Sequence, residues 1–478
     1  MTKRTLVEKV PQGRGHGKAH TGAGIGLEGH REAHKAPAFL QAVTARSGQS
    51  SEDREVNVLK GTDFSPALTF DAGEARKSPD EVQLARDHGR RRRLRWRAQG
   101  SRKLSKSKSC RSCGLSRDGA PVIVEAVEMG DGRVTTRTSG VHRCRSVHAC
   151  PTCSASIAAG RAQEIEKAMH VWIERGGTVA VGLITGPHGY TQTLRQARRQ
   201  ITRVTARAFA TRSFKRQAEA FGFVGWVKGF DLTYSNKAGW HPHYHCVALL
   251  GPGADAVAFG ELVLSAMQAT AARMGLALPT EHANGWEAVR DERAVSRYVS
   301  KTHANRVAAE TTLHQSKRSR AGSRTPYQIL ADWVEDGDQR DAELWLAFEA
   351  GMKYQRAVSW TPGLKEMLGI TERSDDELAD EAELADGSAD EADSGDEADE
   401  DDAREPILPP RVVIEGEEWN ALVAESGERE GVLLETLRDH GEQAAEALLT
   451  MWRAEAPSGP QVGHAGNKEA AKRQRLKE

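Results

Sequence analysis

Short runs in the middle of the chain alternate apolar and polar residues with a period of two, which predicts half-buried β-strands. Such runs occupy residues 178–186 and 223–235, and a largely apolar run occupies 241–250. Residues 236–239, Asn-Lys-Ala-Gly, predict a hairpin turn between the second and third strands. A short fourth strand is predicted at 285–289.

Patterns with helical periodicity separate these strands. The order over residues 178–305 is strand, helix, strand, strand, helix, strand, helix. This order predicts an α+β domain with a central, largely antiparallel sheet flanked by helices, rather than a doubly wound parallel sheet. The predicted helices cover residues 154–175, 191–220, 254–275, 293–306, parts of 326–370, and 415–453.

Composition divides the chain into six segments. Residues 1–85 are rich in Gly, Ala, His and charge with little periodicity, which is typical of disorder. A later stretch is acidic and has the low complexity of a linker. The predicted segments are a disordered, basic arm at 1–109, a cysteine-rich zinc-binding segment at 110–160, the α+β domain at 161–310, a helical continuation at 311–371, the acidic linker at 372–408, and a small helical appendix with a tail at 409–478.

The net charge of zero hides a strong asymmetry. Residues 375–402 hold 16 acidic side chains and no Lys or Arg, so the rest of the chain carries about +16 by subtraction. A basic body indicates a polyanionic partner, most often nucleic acid. The acidic run is interpreted as a disordered linker, and the alternative is a mimic that competes with DNA for the basic surface.

Two basic stretches are candidates for DNA contact. Residues 86–108 contain eleven Lys or Arg residues and one Asp, and form either a solvated tail or a DNA-binding arm. The helix predicted at 191–220 carries arginines at short intervals, and such side chains neutralise DNA phosphates. The DNA-binding residues predicted from these stretches are Arg91, Arg92, Arg195, Arg199 and Arg203.

The N-terminal sequence and the cysteine spacing both predict a protein of a reducing compartment. The first residues, MTKRTLVEKVPQGRG, lack the apolar core of a signal peptide, and no stretch approaches the roughly 18 apolar residues of a membrane span. Five of the six cysteines lie between Cys110 and Cys153, with Cys-x-x-Cys spacing. In a reducing compartment this spacing favours metal binding over disulfides. A cytoplasmic protein without a membrane partner is expected.

Two Cys-x-x-Cys pairs frame the cysteine-rich segment. Zn²⁺ takes four thiolate or imidazole ligands in a tetrahedron, and Cys110, Cys113, Cys150 and Cys153 supply such a set. Four protein ligands leave no open position, so the predicted site is structural. Scattered cytosolic thiols are the alternative interpretation. Three nearby side chains are candidates to replace one ligand: Cys144, His142 and His148.

Three histidines lie two residues apart at the start of the third strand. Alternate residues of a strand share a face, so His241, His243 and His245 point the same way. On the paired strand, Asp231 and Thr233 are candidates for the same face. Two imidazoles and a carboxylate leave coordination positions open, which predicts a Lewis-acid metal site. A histidine-rich surface strand is the alternative.

A tyrosine and a lysine three residues apart follow the last predicted strand. On a helix, Tyr298 and Lys301 are neighbours on one face. Taken alone, this pair is an ordinary packed aromatic beside a solvated cation. After a metal-binding strand, the tyrosine oxygen becomes a candidate nucleophile for a phosphodiester, with the lysine offsetting the developing charge.

Together these motifs resemble the HUH endonucleases, and more narrowly the rolling-circle plasmid replication initiators. The resemblance covers roughly residues 110–370, and the combination of motifs is specific. It implies that 161–310 is the HUH endonuclease domain, preceded by a zinc-ribbon-like segment. The similar stretches are HPHYHCVALL at 241–250, Asp-Leu-Thr-Tyr at 231–234, Tyr-Val-Ser-Lys at 298–301, the cysteine segment at 143–153, and LITGP at 183–187.

The resemblance also implies a mechanism. His243 and His245, with His241 or Asp231 completing the shell, would hold Mg²⁺ or Mn²⁺. Tyr298 would nick one strand at a plasmid origin and keep its 5′ end as a phosphotyrosine, while the 3′-hydroxyl primes synthesis. Lys301 would orient the scissile phosphate or stabilise its charge. Implied partners are origin DNA, single-stranded at the nick, and the host replication helicase and polymerase in a bacterial cytoplasm.

One position departs from the nearest subfamily, in which a glutamate about one helical turn before the tyrosine activates water at termination. Here Ala294 and Val295 occupy that place, and the nearest acids are Asp291 and Glu292. These two are therefore the candidate general bases. The residue that ends a round of replication is not identified by the motif.

Other functions predict different patterns. A conjugative relaxase usually has its tyrosine before the histidines, and a small single-tyrosine HUH transposase usually lacks the cysteine segment. A non-catalytic zinc-ribbon DNA-binding regulator predicts that Tyr298→Phe leaves function intact. A zinc deaminase requires a His-x-Glu before its Pro-Cys-x-x-Cys, and none stands at a suitable spacing before the Cys-Pro-Thr-Cys at 150–153.

Overall fold

A computed structural model describes residues 79–128, 132, 134–289, 322–381, 409–425 and 427–455. The strands are β1 Val122–Glu128, β2 Val134–Ser139, β3 Thr178–Thr185, β4 Gly225–Ser235, β5 Gly239–Leu250, β6 Trp286–Val289, β7 Ser323–Arg324, β8 Val358–Trp360 and β9 Arg411–Ile414. The helices are α1 Pro79–Arg95, α2 Arg102–Leu104, α3 Lys108–Ser112, α4 Pro151–Glu174, α5 Leu194–Phe209, α6 Arg212–Glu219, α7 Ala256–Arg273, α8 Pro326–Asp336, α9 Gln339–Met352, α10 Leu364–Met367, α11 Asp375–Glu381, α12 Gly416–Glu425 and α13 Glu428–Glu455. A π-helical turn, Trp96–Ser101, joins α1 to α2, and a 3-10 turn, Glu281–Ala283, precedes β6.

Six strands form the main sheet, in the order β6-β3-β5-β4-β7 with β8 paired to β4. All of these pairings are antiparallel, so the predicted α+β class with an antiparallel sheet is confirmed. The β4–β5 turn covers residues 236–238, one residue fewer than predicted, because Gly239 already pairs with Ser235. Gly239 ends the turn with a φ of +74°, and a Cβ there would lie 3.2 Å from the Tyr190 Cα, so glycine suits both the backbone and the space.

Helices cover both faces of the main sheet. One face presents Tyr244 and Leu250 to a core built with α5 to α9. The other face presents Val247 and Leu249 to α4 and α10. Because side chains alternate along β5, the histidines at positions 241, 243 and 245 lie on the second face. None of the described helices combines the length and apolar character needed to cross a bilayer.

A second sheet joins the two ends of the described chain. Its order is β2-β1-β9, and its core, which includes Val124, Trp419 and Leu433, packs against Leu94 of α1. The prediction of disorder throughout 1–109 is therefore wrong for residues 79–109. The C-terminal part to residue 455 is likewise not a separate appendix, because β9 pairs with β1.

Partners remote in sequence explain why a run of arginines forms an ordered helix. Asp87 of α1 pairs with Arg438 of α13 at 2.6 Å, and Arg91 pairs with Glu435. These contacts span more than 300 residues, so the local composition of α1 gives no sign of them. Paired charges and a buried apolar edge offset the mutual repulsion of the arginines.

Several predicted boundaries also differ from the structure. The helix predicted at 191–220 is two helices, because Thr211 caps α6 by accepting from the Phe214 N–H. Gly337, in the left-handed region, separates α8 from α9. The boundary predicted between 160 and 161 falls inside α4, so the cysteine segment and the sheet domain share a helix.

The start of the acidic run is part of the fold. Residues 375–381 form α11, and Arg161 of α4 donates to Asp375 at 2.6 Å. The rest of the run, from residue 382, lies outside the described residues, as does the helix predicted at 293–306.

Candidate metal centres and active site

Cross-strand pairing brings one aspartate and two histidines together. Asp231 lies directly opposite His243, and His245 lies two residues further along β5 on the same face. Asp231 Oδ2 is 2.7 Å from His243 Nε2 and 3.4 Å from His245 Nε2. The ligand atoms of all three side chains lie within 4.8 Å of one another. Both imidazoles therefore direct the same nitrogen toward one carboxylate oxygen.

The second ring nitrogen of His243 is oriented by the backbone. Its Nδ1 lies 3.3 Å from the His241 carbonyl oxygen, and the Nδ1–H tautomer donates to that oxygen. This tautomer leaves a lone pair on Nε2, facing Asp231 Oδ2. Histidines that bind metal ions commonly donate their other N–H to such an acceptor. A cation among these lone pairs satisfies all three side chains, so the residues fit a divalent metal ion.

Burial keeps the two imidazoles neutral. It lowers the pKa of His243 to about 4, and burial together with the neighbouring His243 lowers the pKa of His245 to about 3. A neutral imidazole retains the lone pair that a metal ion needs, whereas an imidazolium repels the ion. The two histidines are therefore in their ligating form at neutral pH.

His241 lies next to this group but is not part of it. Its ring centroid is 5.3 Å from that of His243 and only 4.4 Å from that of His188. The structure thus brings together three of the four predicted ligands and pairs the fourth with a histidine that the sequence analysis missed. His188 follows Thr185, the last residue of β3, by three positions, and this proximity to a predicted strand end was the available indication.

Thr185 stabilises the end of β3 beside the site. It lies opposite His243 in the β3–β5 register. Its backbone N–H donates to Asn284 Oδ1 at 2.8 Å, and its hydroxyl donates to the Ala283 carbonyl at 3.0 Å. Asn284 Nδ2 donates back to the Thr185 hydroxyl at 3.2 Å. These bonds connect the metal site to the turn before β6.

Four thiols form a second candidate centre. The Sγ atoms of Cys113, Cys144, Cys150 and Cys153 all lie within 4.8 Å of one another. Cys113 is 3.6 Å from Cys150 and 3.7 Å from Cys153, and Cys144 is 3.8 Å from Cys153. Sulfurs placed about 2.3 Å from a zinc ion at the corners of a tetrahedron are about 3.8 Å apart. The cluster therefore fits a structural Zn²⁺ without rearrangement.

This group of four differs from the predicted pair of Cys-x-x-Cys motifs. Cys144 takes the place of Cys110, which is buried but lies outside the group. The two histidines considered as substitutes have other contacts. His142 Nε2 lies 3.0 Å from the Ser109 hydroxyl, and His148 Nε2 donates to the Gln355 carbonyl at 2.8 Å.

Buried arginines surround the thiols. The Arg97 guanidinium is 1% exposed and pairs with Glu430 of α13. Burial lowers its pKa, but Glu430 and the nearby thiolates outweigh burial, so the net pKa is raised. Four thiolates around Zn²⁺ carry a charge of roughly −2. The Arg97 cation therefore compensates the candidate site and connects it to the C-terminal helix.

The predicted DNA-binding arginines have two different environments. Arg195, Arg199 and Arg203 lie on the exposed face of α5. Arg91 is paired with Glu435, and the Arg92 guanidinium lies 5.9 Å from the Trp96 ring. The α5 arginines are thus available to a ligand, whereas those of α1 take part in packing.

A hydroxyl pair links α5 to the histidine strand. Tyr244, between His243 and His245, points to the opposite face, and its hydroxyl lies 3.1 Å from that of Thr202 in α5. The Lys228 ammonium lies 5.7 Å from the Tyr244 ring and 5.1 Å from the Trp226 ring. The helix that bears the exposed arginines is therefore in direct contact with the strand that bears the candidate metal ligands.

Four residues predicted to take part in catalysis lie outside the described residues. They are Tyr298, Lys301, Asp291 and Glu292.

Two characterised proteins resemble the chain. It is 25% identical over 327 residues to "Protein rep" of Streptomyces lividans, and the match covers 53% of this chain and 72% of that protein. It is 24% identical over 136 residues to "Neomycin resistance protein" of Streptomyces cyanogenus, over 23% of this chain and 31% of that protein. No family model and no solved structure matches the chain.

Proposed function

We propose that the protein initiates rolling-circle replication of a plasmid by metal-dependent, tyrosine-mediated nicking of one DNA strand at the origin. The observation that carries the proposal is the convergence of His243 Nε2 and His245 Nε2 on Asp231 Oδ2. Similarity to the Streptomyces lividans protein named for replication supports the biological setting. The fold class and the basic surface of α5 are consistent with a DNA substrate.

The metal ligands in this proposal are Asp231, His243 and His245, with Mg²⁺ or Mn²⁺ as the ion. A bound divalent ion supplies Lewis acidity toward a phosphoryl oxygen. Three protein ligands leave positions at which a phosphate and water are accommodated. The neutral imidazoles and the Thr185 hydrogen bonds hold the ligand atoms in place. The thiol cluster holds Zn²⁺ and has no chemical role.

The chemical step in this proposal is a transesterification. Tyr298 loses its hydroxyl proton and its oxygen attacks the scissile phosphorus. The bond from phosphorus to the 3′ oxygen breaks, and that oxygen takes up one proton, which balances the proton that Tyr298 releases. The 5′-phosphate stays on the tyrosine, and the 3′-hydroxyl is free for a host polymerase while a helicase opens the duplex. Lys301 offsets charge on the phosphate. Asp291 or Glu292 is the candidate base that activates water at termination.

The position of β6 supports a role for Tyr298. Val289, the last residue of β6, lies opposite Val179, and His245 lies opposite Leu183 on the other side of β3. Val289 is therefore about 16 Å from His245 across and along the sheet. Tyr298 follows Val289 by nine residues. With the helix predicted from residue 293, four extended residues and five helical ones together span about 21 Å at most. The separation permits Tyr298 to reach the metal site.

Metal removal is expected to abolish covalent capture of DNA. Without Mg²⁺ or Mn²⁺, the protein should form no adduct with single-stranded origin DNA, and added Mn²⁺ should restore it. His243→Ala should reduce the adduct more than about 100-fold, because a direct ligand is lost. The measurement is the mobility shift of the protein on a denaturing gel with labelled DNA.

His170→Ala is the matched control. His170 lies in α4, half-buried and 3.9 Å from Glu166, away from the metal group. The His170→Ala variant should form as much adduct as wild type. Persistence of the adduct in His243→Ala, or in metal-free protein, would contradict the proposed metal centre.

Neutralising the α5 arginines is expected to weaken DNA binding at every sequence. Substituting Arg195, Arg199 and Arg203 by glutamine should lower the slope of log affinity against log salt by about 3 if each contacts one phosphate. The measurement is a salt titration of duplex binding by fluorescence anisotropy. The same substitution at Arg453, which pairs with Glu418 at 2.7 Å, should leave the slope unchanged. An unchanged slope in the triple variant would exclude α5 from the DNA interface.

A further inference from the structure

Aromatic and cationic side chains continue from the metal site toward the tip of the β4–β5 hairpin. His241 lies beside His243, and His188 stacks on His241 with 4.4 Å between ring centroids. Tyr190, two residues after His188 in the loop that follows β3, is 57% exposed. The proposed chemistry uses neither His188 nor Tyr190.

The backbone holds this row in place. A Cβ on Gly239 would lie 3.2 Å from the Tyr190 Cα and 3.3 Å from its carbonyl oxygen, so the loop rests directly on the hairpin. His188 Nδ1 lies 3.4 Å from the Gly186 carbonyl oxygen within the same loop. Gln192 is bonded to Gln200 of α5 at 3.0 Å, which anchors the far end of the loop.

An exposed cation stands at the end of the row. Arg340, at the start of α9, donates to Asn236 Oδ1 of the hairpin turn at 3.1 Å. Tyr234 and Tyr190 both lie close enough to raise the pKa of the Arg340 guanidinium. The bond to Asn236 holds the guanidinium at the hairpin tip, within electrostatic range of Tyr190.

We propose that His241, His188, Tyr190 and Arg340 form a track that binds single-stranded DNA next to the scissile phosphate. The exposed Tyr190 ring is open to an unpaired base, the partly buried His188 and His241 line the path to the metal site, and the guanidinium contacts the phosphate backbone. Bases in a duplex are stacked on each other and are not open to such rings. The track begins at the metal ligands, so a strand lying along it delivers its phosphate to them. This inference rests on the proposed function, because it assumes that the metal site acts on DNA.

The test is the affinity for a fluorescein-labelled oligothymidylate of about 16 nucleotides, which matches the site size of one strand-binding domain. Anisotropy is measured on the full chain without added Mg²⁺ or Mn²⁺, so that no cleavage occurs. Tyr190→Ala should weaken binding by about tenfold, the loss of one stacked base. Tyr190→Phe keeps the ring and should bind like wild type. Duplex affinity should be unchanged in both variants.

Tyr354→Ala is the matched control. Tyr354 is 90% exposed beside Lys353 and follows the opposite end of α9, about 20 Å from Arg340. It should leave single-strand affinity unchanged. Equal affinity of Tyr190→Ala and wild type, or an equal loss in Tyr354→Ala, would overturn the track.

The outcomes separate this inference from the proposed function. If Tyr190→Ala binds single-stranded DNA like wild type while wild-type protein forms a metal-dependent adduct, the proposed track is wrong and the proposed nicking activity is retained. If Tyr190→Ala loses single-strand affinity while wild type forms no adduct with Mn²⁺, strand binding stands and nicking is wrong.

Discussion

Tyr298→Phe is expected to abolish the covalent protein–DNA adduct. The substitution removes only the hydroxyl oxygen that bonds to phosphorus, and no other group on the ring replaces it. Adduct formation and nicking should fall by at least about a thousandfold, the usual scale for loss of a covalent nucleophile. The measurement is the yield of adduct on single-stranded origin DNA with Mn²⁺.

Measurements of DNA affinity distinguish the loss of the nucleophile from a loss of DNA binding. DNA affinity of Tyr298→Phe should equal that of wild type, because no charge is lost and the ring remains. Tyr354→Phe removes a hydroxyl from a 90% exposed tyrosine and should nick normally. If Tyr298→Phe forms as much adduct as wild type, the chain uses another nucleophile or none, and a non-catalytic DNA-binding regulator becomes the better interpretation.

Cys113→Ser is expected to release zinc and destabilise the fold. Cys113 is fully buried, and its Sγ contacts those of Cys150 and Cys153. The variant should lose its one equivalent of zinc and more than about 3 kcal/mol in free energy of unfolding, because structural zinc contributes directly to folding. The measurements are zinc content of the purified protein and its unfolding by denaturant.

The prediction also distinguishes Cys144 from Cys110 as the fourth zinc ligand. Cys110→Ser should keep its zinc, and Cys144→Ser should lose it, because only Cys144 belongs to the group of four. The reverse result would restore the two Cys-x-x-Cys pairs as the ligand set. Loss of zinc should also loosen the contact between Arg97 and Glu430, which joins the N-terminal helices to α13.

The histidine strand shows which structural features a local sequence pattern can predict. A period of two and a turn signal were enough to predict a hairpin and to make Asp231 a candidate for the face that carries the histidines. The register depends on the turn length, and the predicted four-residue turn would pair Ser235 with Trp240 and Asp231 with Tyr244. In the structure Ser235 pairs with Gly239 across a three-residue turn, and this register sets Asp231 directly opposite His243.

The charge pattern did not predict which residues are ordered. The arginine-rich residues 86–108 were predicted to be a solvated tail or a DNA-binding arm. In the structure, α1 is held by Asp87–Arg438 and Arg91–Glu435, and the π-helical turn after it by Arg97–Glu430. The cysteine set illustrates the same limit. The β1–β2 hairpin returns the chain so that Cys144 meets Cys113, and the spacing between cysteines does not contain that path.

The sequence by itself determined the α+β class, the antiparallel sheet, the helix after the cysteines, and the candidate pair of metal-binding histidines. These depend on periodicity and on turns, which act over a few residues. The tertiary structure alone decided the separation of His241 from the metal group, its stacking on His188, the four-thiol set, and the union of the two chain ends in one sheet. Those features depend on contacts between residues about 30 to more than 300 positions apart, and such contacts are selected by packing and charge pairing that no local pattern encodes.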